Sequence, residues 1–206
     1  MNHAIDFSSE KKEVSLRVTS QQETRKRLLE AAHHAVANRG YEGTSISDIV
    51  NLAGFTKGAF FSNFENKESI LLELMRLQKE EDINLLGKLI AEANGDIAIA
   101  LNHYIASLDE RHDCAMLDIE LQLYARSNPT FAKSYHALQE TNRVALGQLL
   151  ETIFAMKGKL PPIDSAKLAD LFVGLVQGLA LQHQPNAGLF IHLVLDSLMA
   201  TAPVLE

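Results

Sequence analysis

The sequence predicts an all-α fold of about 9–10 helices, and three observations carry that expectation. Apolar residues make up 47% and charged residues 22% of 206, the balance of a globular chain with a real core. Proline and glycine number only 5 and 11, and tryptophan is absent. Apolar residues recur at three- and four-residue spacing through nearly every stretch, while β-branched runs are few. The length fits one or two domains. No apolar run approaches the roughly 18–20 residues of a membrane span, and the N-terminus lacks the apolar centre of a secretory signal. A single cysteine, Cys114, excludes an intrachain disulfide, so a cytoplasmic protein is expected.

Residues 1–19 are polar and aperiodic and read as a flexible arm. Its Lys11, Lys12 and Arg17 are open to a minor groove or simply to solvent. Ser20 and Glu23 form a capping-box pattern for a first helix, followed by Leu28, Leu29, Ala32, Ala35 and Val36 at helical spacing. Gly40 ends it. Thr44 or Ser45 then caps a short helix with Ile46, Ile49, Val50 and Ala53 on one face, broken by Gly54. Thr56 caps a second short helix, Lys57 to about Phe64, that buries Phe60 and Phe64. Two short helices joined through a glycine turn make a helix-turn-helix.

Glu65-Asn66 reads as a turn. A helix from Lys67 to about Asn94 follows, long enough at 1.5 Å per residue to span roughly 40 Å and link two domains. Further helices are expected over 96–111, over 114–127, and from the Asn128-Pro129 start to Met156. Residues 157–163 form a loop. Asp164 caps a helix over about 165–183, and Asn186 caps a last one through Leu198. The organisation is therefore an arm (1–19), a helix-turn-helix domain (20–66) and a larger helical domain (67–206). Charge follows the same division. The net value is −7, which argues against coating nucleic acid through bulk charge. Residues 1–68 hold nine basic and nine acidic residues, so the acidity belongs to the rest.

The block Thr24 to Leu72 resembles the DNA-binding domain of the TetR family of bacterial transcriptional regulators. Thr24-Arg25, Gly40-Tyr41, Thr44-Ser45, Ile49, Ala53-Gly54, Lys57-Gly58 and the Phe61-x-x-Phe64-x-x-Lys67-Glu68 tail all fall at the family's spacing. The resemblance implies a homodimer on a palindromic operator of double-stranded DNA, most simply a repressor released by a small-molecule effector. It places Arg25, Thr44, Thr56, Asn63 and Lys67 on phosphates, and Lys57, Gly58, Ala59 and Ser62 at base edges. Phe61 stands where the family usually has tyrosine; its ring can touch a thymine methyl but cannot bond a phosphate.

The resemblance also implies a ligand cavity in the larger domain, for which Tyr104, Leu108, Met116, Ile119, Glu120, Leu123, Tyr124 and Phe172 are the candidates. Residues 130–156 and 165–183 match the family's dimerisation helices, with Leu149, Ile153, Leu171, Gly174, Leu175, Gly178 and Leu179 at the interface. Other chemistry finds little footing. His33-His34 diverge by about 100° on a helix, and His112 with Cys114 lacks further ligands, so no metal site or cofactor is expected. No nucleophile elbow or phosphate loop is present, so no catalytic residue is assigned. The alternative reading is a helical small-molecule carrier or enzyme that retains a DNA-binding module.

Overall fold

The computed structural model describes residues 7–92, 99, 102–104, 112–184 and 186–205, with backbone alone at 7–19 and 112–114. The described residues include eight helices: α1 (Phe7–Arg39), α2 (Ile46–Ala53), α3 (Lys57–Phe61), α4 (Lys67–Glu92), α5 (His112–Ser127), α6 (Pro129–Met156), α7 (Ser165–Leu181) and α8 (Ala187–Thr201). The chain divides into two compact units, one up to Leu74 and one from Met75 on. The expected helix over 96–111 lies outside the described residues except at 99 and 102–104, which are helical. No helix among the described residues is long and apolar enough to cross a membrane.

The first correction concerns α1, which begins at Phe7 and not at Ser20. The expected arm over 7–19 is helix; residues 1–6 lie outside the described residues. Ser20 sits inside the helix, where its carbonyl accepts from Thr24 Oγ1 at 2.9 Å. The stretch Phe7–Thr19 contains neither proline nor glycine, so nothing stops the helix from running back through the capping-box pattern. Leu28, Leu29, Ala31, Ala32, Ala35 and Val36 supply the buried face of α1. Gly40 ends it with φ 70°, its N–H donating to Val36 O at 2.8 Å.

In α2 the cap is Ser45. Its hydroxyl accepts from Asp48 N at 3.2 Å, and its own N–H donates to Asp48 Oδ2 at 2.9 Å. The Ser45 bonds, led by its hydroxyl, hold the Asp48 carboxyl below its ordinary 3.8. Gly54 closes α2 in the left-handed conformation, φ 72°, and Phe55 N donates back to Val50 O at 2.9 Å. A side chain at φ 72° would cost roughly 1–2 kcal/mol, so Gly54 permits the tight entry into α3. For α4, Asn66 and Ser69 cap reciprocally: Ser69 N donates to Asn66 Oδ1 at 2.8 Å, and Asn66 N to Ser69 Oγ at 3.2 Å.

The second unit has a continuous apolar core. It joins Leu86 and Ile90 of α4, Leu150, Ile153 and Phe154 of α6, Leu168 and Phe172 of α7, and Ile191 and Leu195 of α8. Each fully buried side chain of this size contributes about 1.5–3 kcal/mol before entropy is counted. The sequence-derived starts of α6 and α7 are found as expected. Asn128 Oδ1 accepts from Phe131 N at 3.0 Å, and Asp164 Oδ1 from Ala166 N and Lys167 N at 3.1 and 3.2 Å. Asn186 differs: it is left-handed, φ 61°, and makes no side-chain cap. Beyond α8 the chain pairs with the α6–α7 loop, Leu160 N donating to Pro203 O and Leu205 N to Gly158 O.

Candidate nucleic-acid interface

α3 is held from beneath by two aromatic rings. Phe60 is 0% exposed and Phe64 5%, tilted ring to ring with centroids 5.8 Å apart. Apolar burial on that side leaves Lys57, Gly58, Phe61 and Ser62 exposed and Ala59 half-buried on the other. Thr56, also exposed, caps α3 by accepting from Ala59 N at 3.3 Å. The helix stops at Phe61, short of the expected Phe64. Two local side-chain bonds compete with its continuation. Ser62 Oγ donates to Gly58 O at 2.9 Å, and Asn63 Nδ2 donates to Ala59 O at 2.8 Å.

Of the residues expected on phosphates, several are already engaged in the fold. Thr44 is 2% exposed, and its hydroxyl donates to Gly40 O at 2.9 Å. It is a buried strut, a correction of its expected surface role. Asn63 Nδ2 donates to Ala59 O of α3, and its Oδ1 is buried without a partner. Arg25 Nη1 donates to Asn63 O at 2.8 Å, its Nη2 lies 3.3 Å from Glu73, and its guanidinium stacks 4.2 Å over Phe64. Lys67 Nζ donates to Tyr41 O at 2.9 Å and lies 3.9 Å over the Tyr41 ring. Arg25 and Lys67 therefore position α3 and the start of α4, each keeping further N–H groups for an anion.

Sequence reasoning missed Arg27. Its Nη2 donates to Ala53 O, the end of α2, at 2.7 Å, and it stacks 4.6 Å over Phe55. The guanidinium thus locks α1 against the turn between α2 and α3. Nothing in the local pattern separates Arg27 from its basic neighbours Arg25 and Lys26; only the tertiary contact does.

In the second unit the expected cavity residues differ in their surroundings. Leu123 is 57% exposed and Phe172 belongs to the core. Tyr124 Oη accepts from Asn128 Nδ2 at 2.7 Å and meets Phe131 edge-on at 5.0 Å. Tyr104 packs against the core, and burial pushes its hydroxyl up to about 12. Met116, Ile119 and Glu120 are half-buried or buried less than the core on α5, and Leu108 lies outside the described residues. Among the described residues a groove of about 200 Å³ opens between α6 and α7, beside His136, Gln139, Glu140, Arg143 and Asp170.

The acidic group that does point inward is Asp118, not Glu120. It is 5% exposed and receives four donors. These are Lys79 Nζ at 3.0 Å, Gln177 Nε2 at 3.0 Å, Tyr135 Oη at 2.9 Å and Gln139 Nε2 at 2.6 Å. Burial and the adjacent carboxylate raise the Tyr135 hydroxyl well above its ordinary range, so Tyr135 stays a donor. Four helices, α4 to α7, meet at this carboxylate. Its spacing from Leu117, Leu121 and Ala125, all buried, is the signal that could have found it.

The expected dimer residues also separate. Ile153 and Leu179 are buried in the core of the protomer, and Leu149 and Leu175 are half-buried and pack against that core. Leu171, 45% exposed, and Gly174 do face outward, and a Cβ built at Gly174 or Gly178 meets nothing within 4 Å. An exposed apolar face also lies on α8, with Leu189, Phe190 and Leu193 at 67%, 40% and 63%. In residues 130–156 the buried apolar side chains, Leu150, Ile153 and Phe154 among them, face the core of the protomer.

Residues 28–74 match the family model of bacterial regulatory proteins, tetR family. Over 107 residues the chain is 31% identical to the HTH-type transcriptional repressor AcnR of Corynebacterium diphtheriae, covering 52% of this chain and 53% of that protein. The match thus spans about half of that relative's length. It is 27% identical over 164 residues to the regulator YdgC of Bacillus subtilis, covering 76% and 79% of the two chains. In fold it is similar to the regulator FadR of Bacillus subtilis, solved with stearoyl-CoA. The TM-score is 0.66 at 20% identity, over 85% of this chain and 97% of that one.

Proposed function

We propose, from the premise that residues 28–74 make this chain a member of the TetR family of bacterial regulators, that it is a ligand-responsive repressor of transcription. It binds a palindromic operator as a homodimer and leaves it when a small-molecule effector occupies the second unit. The observation that carries this reading is the α3 edge, where exposed Lys57, Gly58 and Phe61 stand over a fully buried Phe60. Small residues admit the backbone to the major groove, and Lys57 supplies donors for guanine O6 and N7. Arg25 and Lys67, already fixed by Asn63, Glu73 and Tyr41, present positive charge beside that edge for phosphates. Both belong to the DNA-facing set with Thr56, Ala59 and Ser62.

A twofold dimer would set two such helices one turn of B-DNA apart, about 34–36 Å. The exposed Leu171, Leu181, Leu189, Phe190 and Leu193 on α7 and α8 support an isologous apolar interface there. Repression follows the name of the relative from Corynebacterium diphtheriae, and a small-molecule effector follows the stearoyl-CoA complex of the fold neighbour. An effector needs to favour one of two conformers by only about 1–3 kcal/mol to act. α4, shared by both units, is the lever for that change.

The test is a binding titration of the full chain against its own promoter region over a range of salt. Sequence-specific binding with a steep negative salt slope is expected, together with weaker or less selective binding by Lys57→Ala. Equal, weak affinity for every sequence would overturn the reading.

A further inference from the structure

We propose that Phe61 reads the C5-methyl group of a thymine in each operator half-site, adding an apolar specificity contact to the base readout by Lys57. The inference rests on the DNA-binding reading above and goes beyond it by naming the base. Phe61 is 56% exposed, the largest side chain on the open edge of α3 apart from Lys57. Its ring stands edge-on to Phe60, centroids 5.4 Å apart at 83°, and Phe60 is itself 0% exposed. A buried ring supports one side of the exposed one, so part of the cost of ordering Phe61 is already met in the fold.

Of the neighbouring polar groups, Ser62 and Asn63 offer little rival readout. The Ser62 hydroxyl proton goes to Gly58 O, and the Asn63 amide donates to Ala59 O. Phe61 has neither donor nor acceptor. Against the major-groove edge of guanine, adenine or cytosine, the ring would cover polar atoms and leave them unpaired. The thymine methyl is the one apolar group that edge presents. The ring therefore favours thymine twice: it buries the methyl there, and at another base it would desolvate polar atoms without pairing them.

The experiment selects operators for the full chain from a randomised duplex pool. It then replaces each half-site thymine, symmetrically, by deoxyuridine, which removes the methyl and keeps the pairing. Burial of one methyl corresponds to about a fourfold change in affinity, so the symmetric pair should weaken wild-type binding roughly 15-fold at one position. Phe61→Ala should bind thymine and uracil operators equally, whereas Phe61→Leu should retain part of the discrimination. Circular dichroism checks that both variants are folded; if Phe61→Ala is not, Phe61→Leu and the wild-type uracil scan decide. Wild-type binding that stays within about twofold at every uracil position overturns the proposal. So does a folded Phe61→Ala that keeps full methyl sensitivity. Failure to enrich any sequence would bring down the DNA-binding reading itself, and this inference with it.

Discussion

Replacing Gly58 by alanine separates folding from recognition, because the two effects have opposite signs. Within the protein the substitution is benign. A Cβ at Gly58 would stand 3.6 Å from Thr56 Oγ1, an ordinary contact, and Gly58 is not among the positive-φ glycines of the described residues. Alanine in a helix is favoured over glycine by about 0.5–1 kcal/mol, so the thermal midpoint should rise by a few degrees. At the groove the same methyl projects from the exposed edge that carries Lys57 and Phe61. Displacing one base contact costs about 1.4 kcal/mol, tenfold per half-site, or roughly 100-fold for a dimer. Fluorescence polarisation on a selected operator at fixed salt, paired with thermal melting, measures both. Gly87→Ala is the control: its Cβ meets nothing within 4 Å, and it should leave DNA binding alone. A Gly58→Ala protein that is more stable and binds as tightly as wild type would refute close backbone approach there.

Three other outcomes are expected. Asp118→Ala should destabilise the chain by about 3 kcal/mol in denaturant titration, because Lys79, with 17% side-chain exposure, would lose its counter-charge; the double replacement Lys79→Met with Asp118→Leu should recover most of it, and a loss under about 1 kcal/mol for Asp118→Ala would refute the argument. Gly178→Arg, where a side chain meets open space within the protomer, should fold normally yet sediment as a monomer; an unchanged dimer would remove α7 from the interface. The Ser45–Asp48 box should depend on pH. Its carboxyl lies lower in the folded chain than the ordinary 3.8, so its stabilisation is complete above about that value and fades as pH falls through the lowered one. The gap in thermal midpoint between wild type and Asp48→Asn should therefore close in acid; a gap constant down to about pH 2.5 would contradict this.

The sequence by itself determined the elements wherever a local rule had one outcome. Ser45, Thr56, Asn128 and Asp164 are caps as their types and spacing require, Gly40 and Gly54 are left-handed stops, and Phe60 and Phe64 are buried at one-turn spacing. These are contacts within four residues, and the chain needs no partner to make them. The tertiary structure decided every question of which competitor wins. Ser20 loses its cap because the residues before it remain helical; Thr44 turns inward to Gly40; Asp118 rather than Glu120 faces the bundle centre; Ile153 and Leu179 go to the core and leave α8 its exposed leucines. Helical periodicity marks an apolar stripe but not what covers it, since burial is a property of the neighbouring element. Contacts such as Arg27 to Ala53, 26 residues apart, exist only once the chain has closed on itself.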